Sequence, residues 1–302
     1  MKNRKRFLWI ALMTVVAFSA WAAGAGESGG GGGTATPAGA PQYNDEKDFN
    51  ASPESGGESV VISKYVGIQF RVSIPPRIQR LPVTSIGRDA FRNNTDILSV
   101  VIPSSVTTIG QGAFYGCRSL TSVTIGSGVT SIGQDAFYGC RNLTSITIPD
   151  SVTSIGQTAF SGCTSLTSVK IGNGVTSIAN GAFNSCRALT SVTIGKGVTS
   201  IGEKAFFECT SLASVTIPNN VATIGNSAFS DCTSLTSVTI GSGVNRIGED
   251  TFSKCPLTSV TFQGMISDFY NSFTGDLRTK YFAAGPGTYT RPNSTGSIWT
   301  RQ

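Results

Sequence analysis

Residues 120–142 read LTSVTIGSGVTSIGQDAFYGCRN, and residues 143–165 read LTSITIPDSVTSIGQTAFSGCTS. The second stretch repeats the first at an interval of 23 residues. The seven cysteines of the chain keep the same interval, at Cys117, Cys140, Cys163, Cys186, Cys209, Cys232 and Cys255. Self-similarity at a fixed period of this length is typical of tandem repeat proteins. Such arrays offer extended surfaces more readily than catalytic pockets.

Eight positions of the unit keep their apolar character from repeat to repeat, namely those of Leu120, Val123, Ile125, Val129, Ile132, Ala136, Phe137 and Cys140. The alternation of Val123 and Ile125 with small polar residues predicts a short half-buried strand. The pair Val129 and Ile132 is compatible with a second strand, and the spacing of Ala136, Phe137 and Cys140 predicts one helical turn. We therefore predict a repeat solenoid of short parallel strands with one helical turn per repeat, capped at both ends.

Composition divides the chain into five segments. Residues 1–23 have a basic start and a short apolar run, which predicts a signal peptide, with a membrane anchor as the alternative. Residues 24–59 are rich in Gly, Ser and Pro and predict a flexible linker. Residues 60–82 predict an N-terminal cap built as a hairpin or small sheet. Residues 83–262 hold about eight 23-residue units, and residues 263–302, rich in aromatic side chains, predict a C-terminal cap.

The charge of the chain argues against a nucleic-acid partner. Lys2, Arg4, Lys5 and Arg6 belong to the predicted leader, and without them 19 basic face 17 acidic side chains. A nearly neutral chain lacks the basic surface that binds phosphates. The sequence also holds no histidine, which removes the commonest general base and metal ligand.

The cysteines and phenylalanines predict a structural core ladder. Its members are Phe114, Phe137, Phe160, Phe183, Phe206, Phe229, Cys117, Cys140, Cys163, Cys186, Cys209 and Cys232. In an exported protein the cysteines could form disulfides, but seven cannot pair completely and neighbouring coils would point their side chains in parallel. We favour buried free thiols that act as small apolar residues. Without a Cys-x-x-Cys pair or a histidine, the sequence predicts no metal site and no cofactor.

Two sets of outward residues are candidate binding positions. One is a strand column that comprises Thr124, Thr147, Lys170, Thr193 and Thr216. A regular Thr/Ser sheet could bind proteins or glycans, or could order water as ice-binding solenoids do. Alternatively, these residue types are present only because they are favourable in an exposed strand. The other is Arg118, Arg141 and Arg187, each directly after a cysteine. Stacked arginines repel each other unless an anion lies close to them. They therefore indicate either a basic strip that binds acidic glycans or proteins, or a face that is simply solvated.

The sequence predicts that the protein is not an enzyme. A Ser-His-Asp triad is impossible without histidine. Acidic residues such as Asp135, Asp150 and Glu203 fall at different positions of the repeat, as solvated surface acids do.

The unit Leu-x-x-Val-x-Ile-x-x-x-Val-x-x-Ile-Gly-x-x-Ala-Phe-x-x-Cys-x-x resembles the treponemal-type leucine-rich repeat of BspA-like bacterial surface proteins. The resemblance covers about residues 83–262. It implies an exported leucine-rich repeat solenoid, secreted or at the cell surface, that adheres to host matrix proteins or to other bacteria. Because the apolar run of the predicted signal peptide is short for a bilayer span and would be removed, we also expect no transmembrane segment in the mature chain. The resemblance does not identify binding residues, because the residues of the repeat motif are those that form the core. The alternative is a structural envelope protein that associates with copies of itself.

Overall fold

The structure, a computed structural model, describes residues 42–269 and 271–302. The predicted leader and the first part of the predicted linker lie outside the described residues, as does Tyr270. The fold is a solenoid in which each repeat forms one coil, and one apolar cluster runs through the described coils. The leucine-rich repeat solenoid expected from the sequence is therefore confirmed.

Each coil contributes two short strands. The first series comprises β3 (Arg71–Ser73), β6 (Ser99–Val101), β8 (Ser122–Thr124), β10 (Ser145–Ile148), β12 (Ser168–Ile171), β14 (Ser191–Thr193), β16 (Ser214–Ile217), β18 (Ser237–Ile240) and β20 (Ser259–Phe262). The second comprises β5 (Leu81–Ile86), β7 (Thr108–Ile109), β9 (Ser131–Ile132), β11 (Ser154–Ile155), β13 (Ser177–Ile178), β15 (Ser200–Ile201), β17 (Thr223–Ile224), β19 (Arg246–Ile247) and β21 (Asp268–Phe269).

Parallel pairing keeps equivalent residues of successive coils opposite one another. Val169, for example, pairs with Ile146 of the preceding coil and with Val192 of the next one. The second series forms one continuous sheet, whereas the first is divided into three sheets, β3-β6-β8, β10-β12-β14 and β16-β18-β20 with its additions. In β10, β12 and β16 exposed and buried residues alternate, as the sequence pattern predicted for a strand with one covered face.

The predicted helical turn in each repeat is wrong. Ala136, Tyr138 and Cys140 donate their N–H groups three residues back, to Gly133, Asp135 and Phe137. The intervening N–H groups donate to the next coil instead, for example Phe137 to the carbonyl of Ala159 at 2.7 Å. Asp135 and Gly139 have positive φ, which interrupts helical geometry. The segment is a run of tight turns whose alternate N–H groups join neighbouring coils.

The N-terminal cap begins earlier in the chain than the sequence predicted. The linker predicted through residue 59 is wrong over its last part, because a 3-10 helix (Glu46–Asp48) and β1 (Phe49–Pro53) lie there. β1 pairs antiparallel with β2 (Val60–Tyr65), and β2 pairs parallel with β5. A small hairpin joins β4 (Arg77–Ile78) to β5. The apolar residues of β1 were too few to signal a strand on their own.

The last coil is covered by the tail. β22 (Gly287–Thr290) pairs antiparallel with β20, and β23 (Thr300–Arg301) pairs antiparallel with β22. The helix α1 (Leu277–Ala284) places Tyr281 in the core, where its hydroxyl accepts from Ile266 N–H and donates to the Gly264 carbonyl. Tyr289 and Trp299 are also buried. The tail thus closes the edge that a terminal coil would expose.

Candidate functional site

The Thr124 column, defined as Thr124, Thr147, Lys170, Thr193 and Thr216, lies exposed on the first series of strands. Ser122, Ser145, Ser168, Ser191 and Ser214 form an exposed column beside it. The two columns together make the surface that we call the strand face. It lies outward because the alternate residues, such as Ile146 and Val169, are buried.

In two other threonine columns the hydroxyls form hydrogen bonds along the stack. In the first, each of Thr121, Thr144, Thr167 and Thr190 donates to a carbonyl one coil earlier, as Thr167 does to Thr144 at 2.9 Å. In the second, Thr107, Thr130, Thr153, Thr176 and Thr199 do the same, at 3.0–3.3 Å. These hydroxyls join neighbouring coils, and their hydrogen atoms are already used in these bonds.

The Thr124 column differs from both. The hydroxyls of Thr124, Thr147, Thr193 and Thr216 make no hydrogen bond to any residue that the structure describes. Lys170 forms no ion pair with the described residues either. These donors and acceptors are therefore available to a partner, and the regular spacing of about 4.8 Å between strands sets their separation.

The strand face becomes apolar at its N-terminal end. Val101 pairs with Thr124 in the ladder and is 43% exposed. Beside it, Leu98 and Phe70 continue the Thr121 column, because the carbonyl of Leu98 accepts from Thr121 N–H and that of Phe70 from Leu98 N–H; they are 39% and 60% exposed. A depression of about 600 Å³ beside them is lined by Tyr43, Arg71 and Val101, among others. Sequence reasoning missed this group, although Leu98 and Val101 depart visibly from the repeat.

The three arginines after the cysteines do not share one environment. All three are exposed, but Arg187 donates to the carboxylate of Glu208 at 2.9 Å. Arg118 and Arg141 have no carboxylate partner among the described residues. The predicted strip thus contains one paired arginine and two arginines without an ion-pair partner in the described part of the chain.

Sequence reasoning overlooked a pair of stacked aromatic side chains in the turn segments. Tyr115 and Tyr138 follow directly after the buried phenylalanines of two consecutive repeats, which was the available signal. Their rings stack with centroids 4.9 Å apart and planes 9° apart. The guanidinium of Arg92 lies 4.1 Å from the centroid of the Tyr115 ring, within cation–π range.

The structure places every member of the core ladder in the interior. The rings of Phe114, Phe137, Phe160, Phe183, Phe206 and Phe229 are stacked at centroid distances of 5.0–5.3 Å, and none is exposed. All seven cysteines are buried free thiols. Each thiol lies within hydrogen-bond distance of a phenylalanine carbonyl of the preceding coil, as Cys140 Sγ does at 3.2 Å from Phe114 O.

Burial governs the chemistry of these thiols. It raises the pKa of Cys117 and of Cys209 to about 12, and raises the pKa of Cys140, Cys163 and Cys186 well above the ordinary value. A thiol must ionise to act as a nucleophile or metal ligand. Among residues 42–269 and 271–302 there is also no group of three His, Cys, Asp or Glu side chains placed to hold a metal ion. These cysteines therefore serve packing.

The helix of the tail, α1, has eight residues, and within the described residues no helix has the length and hydropathy needed to cross a bilayer.

Comparison with known proteins gives two kinds of match. A family model described as the BspA type leucine rich repeat region matches residues 84–210 and 163–276, with six copies. A crystal structure of a leucine rich repeat protein of T. pallidum is 26% identical with a TM-score of 0.57, over 81% of this chain and 96% of that one. A leucine rich cell surface protein of Faecalibacterium prausnitzii is 30% identical with a TM-score of 0.53, over 76% and 78% of the two chains. No curated protein matches the chain.

Proposed function

The chain belongs to the BspA-type leucine-rich repeat family of bacterial proteins, and on that premise we propose that it is an exported surface protein that adheres to other proteins through its strand face. The partners would be host matrix proteins or proteins on other bacteria. Residues 1–23 would be removed as the signal peptide. Solenoids of this family are typically binding proteins rather than enzymes.

The observation that carries the proposal is the change of character along one surface. Val101 is exposed at the N-terminal end of the strand face, and Leu98 and Phe70 are exposed beside it in the continuation of the Thr121 column, where the later repeats have threonines. Contiguous exposed apolar side chains with polar surroundings mark protein–protein contact sites. The hydroxyls of the Thr124 column, which make no hydrogen bond within the described part of the chain, continue from this apolar end and would supply directional hydrogen bonds.

The repeat itself provides matched variants for a test. Leu98→Thr with Val101→Thr replaces the apolar end with the residues of Thr121 and Thr124, so the fold is kept. Thr147→Glu with Thr193→Glu adds two charges to the hydroxyl column. Ser234→Glu with Asn245→Glu adds the same charge at exposed positions away from the strand face and serves as the control.

Binding is measured to an immobilised extracellular-matrix preparation and to whole cells of co-resident bacteria. We expect both strand-face pairs to reduce binding at least about tenfold, which corresponds to about 1.4 kcal/mol, and the control pair to bind as the wild type does. Unchanged binding of both strand-face pairs would refute the proposal. Light scattering on the same samples tests the alternative, because an envelope protein that assembles with itself would form large species without any partner.

A further inference from the structure

Two breaks divide the first series of strands. β8 does not pair with β10, and β14 does not pair with β16, so the series forms three blocks of three coils, β3-β6-β8, β10-β12-β14 and β16-β18-β20. The second series crosses both breaks without interruption, because Ile155 pairs with Ile132 and Ile224 pairs with Ile201. The breaks therefore affect one side of the array.

One turn position marks the breaks in the sequence. After β8 and β14 this position holds Gly126 and Gly195, and after β10 and β16 it holds Pro149 and Pro218. Both breaks therefore fall where a coil with glycine at this position is followed by a coil with proline. Among the nine first-series coils that the structure describes, no other neighbouring pair has this order.

Proline removes a hydrogen bond that glycine can make at this position. Gly241 donates its N–H to the Ile217 carbonyl of the preceding coil at 3.0 Å. The prolines at the breaks have no N–H to donate. A proline alone does not interrupt the ladder, since Pro103 follows a coil that carries Pro75 at this position and the pairing there is kept. The change from a glycine turn to a proline turn is what coincides with each break.

Neighbouring backbone groups also lack their partners at the breaks. Ile102, beside an intact ladder, donates its N–H to the Thr124 carbonyl at 2.9 Å. The N–H groups of Ile125 and Ile194, at the equivalent position before each break, make no hydrogen bond to any described residue. The N–H of Ala213, at the second break, likewise has no backbone partner within the described chain.

The apolar core is less well covered at the breaks than elsewhere. Val123 and Val192, which precede the breaks, are half-buried, whereas the other valines and isoleucines of their column are at most 4% exposed. Ile125 and Ile194 are 8% and 7% exposed, against 1–2% for the isoleucines of their column in other coils. A depression of about 450 Å³ lies at the first break and is lined from both coils, by Val123 and Thr147 among others.

The other sides of the coil stay closed at both breaks. The rings of Phe137 and Phe160 lie 5.1 Å apart across the first break, and those of Phe206 and Phe229 lie 5.1 Å apart across the second. In the turn segment the Phe137 N–H donates to the Ala159 carbonyl at 2.7 Å. The separation is thus confined to the strand face, and the second sheet and the turn segments hold the blocks together.

We propose that the two breaks are joints at which the array bends, with the strand face opening and closing while the second sheet acts as the hinge. At an intact junction this movement would break ladder hydrogen bonds, whereas at a break it loses only apolar contacts. In a hinge, a few residues move while the units on both sides stay rigid. The separation of Thr124 from Thr147 and that of Thr193 from Thr216 then vary, while that of Thr147 from Thr193 stays fixed. The inference concerns the fold alone and does not rest on the proposed adhesion.

Hydrogen exchange, measured by NMR on the full chain, tests whether the backbone is open at the breaks. We expect the amides of Ile125 and Ile194 to exchange at least about tenfold faster than that of Ile102, after correction for the intrinsic rates set by neighbouring residues. Equal protection of the three amides would overturn the proposal.

Spin labels on pairs of introduced cysteines test whether the open side moves. Thr124→Cys with Thr216→Cys spans both breaks on the strand face, and Ser131→Cys with Thr223→Cys spans the same four coil steps on the second sheet. Each pair is separated by about 19 Å. The native cysteines are buried and do not take up the label in the folded chain. Double electron–electron resonance should give a broader distance distribution for the strand-face pair, and equal widths contradict a joint.

Glycine variants test whether the prolines create the joints. Pro149→Gly with Pro218→Gly restores an N–H at both breaks, and Pro103→Gly makes the same change at an intact ladder as the control. We expect the double variant to slow the exchange of the two isoleucine amides at least about tenfold and to narrow the strand-face distribution to the width found on the second sheet. The control should change neither, and thermal melts show that each variant is folded. The proposal is overturned if either quantity stays unchanged in the double variant.

Discussion

The ring of Phe137 stacks on the ring of Phe160 with centroids 5.1 Å apart and planes 4° apart. The same relationship recurs on the other side of Phe160, where Phe183 lies at 5.3 Å. Each ring therefore stabilises two coil interfaces at once. Because a solenoid is held together by contacts between neighbours, the ladder links the stability of one repeat to that of the next.

Replacing one ring should weaken two interfaces. Phe160→Ala is expected to lower the free energy of unfolding by about 3–5 kcal/mol, the cost typical of buried aromatic residues. Chemical denaturation followed by circular dichroism measures this change. Ile68→Ala is the control, since Ile68 is 87% exposed and should have almost no effect. A loss at Phe160 no larger than at Ile68 would contradict the stacked core.

Two glycines of the same repeat should respond differently to alanine. A Cβ on Gly128 would collide with the carbonyl oxygen of Ser104 in the preceding coil, which is backbone and cannot turn away. A Cβ on Gly139 would meet nothing within 4 Å, and its cost is only that of a residue held at φ 68°. Thermal melts should therefore show a clearly larger loss for Gly128→Ala than for Gly139→Ala, for which about 1–2 kcal/mol is expected.

Threonine-to-valine changes separate hydroxyls that hold the stack from those that face a partner. Thr167 donates to the Thr144 carbonyl at 2.9 Å, so Thr167→Val should cost about 0.5–1.5 kcal/mol in unfolding free energy. Thr193 makes no such bond within the described residues, and Thr193→Val should leave stability unchanged. Equal losses in denaturant titrations of the two variants would show that the columns are not distinct.

Alkaline pH should destabilise the fold through the buried thiols. Burial raises their pKa in the folded chain, so above about pH 9 the unfolded chain releases protons that the folded chain keeps. The stabilisation is complete below the pKa of an unfolded thiol and is lost as the pH rises toward about 12. Buried Tyr65 and Tyr281, whose pKa burial also raises, add a loss of the same sign.

The variant Cys163→Ser measures how much one thiol contributes to the loss of stability at alkaline pH. The serine hydroxyl can still donate to the Phe137 carbonyl, which Cys163 Sγ approaches at 3.2 Å. The variant should lose stability less steeply between pH 9 and 11, by up to about 1.4 kcal/mol per pH unit. Urea titrations across this range measure the slope. An identical slope in the two proteins would mean that Cys163 does not stay protonated in the fold.

The sequence predicted the coil, its period and its inward columns because each of these repeats many times. The helical turn was wrong for a physical reason: Ala136, Phe137 and Cys140 have helical spacing, but the N–H of Phe137 is taken by Ala159 of the next coil. Nothing in a single repeat reveals a hydrogen bond to its neighbour. The continuous second sheet was likewise hard to see, since strands such as Ser131–Ile132 are two residues long.

The candidate surfaces were only partly visible in the sequence. The Thr124 column could be placed outward from the strand alternation alone. Among the described residues its hydroxyls make no hydrogen bond, whereas that of Thr121 donates to Leu98; this difference depends on side-chain rotation, which no pattern encodes. The pairing of Arg187 with Glu208 joins residues 21 positions apart in different coils and likewise needed the structure.

The hydrogen bonds of the turn segments give the array a direction. Asp135, Phe137 and Gly139 donate only toward the C-terminal neighbour, while Thr130 and Gly133 in the strand region donate toward the N-terminal one. The two sets of hydrogen bonds therefore point in opposite directions along the array, unlike the aligned bonds of an α-helix. The two ends are consequently unlike: one end offers turn carbonyls and the other offers turn N–H groups. A cap made for one end therefore has the wrong polarity for the other, whereas a whole unit inserted inside the array would keep both ends matched to their caps.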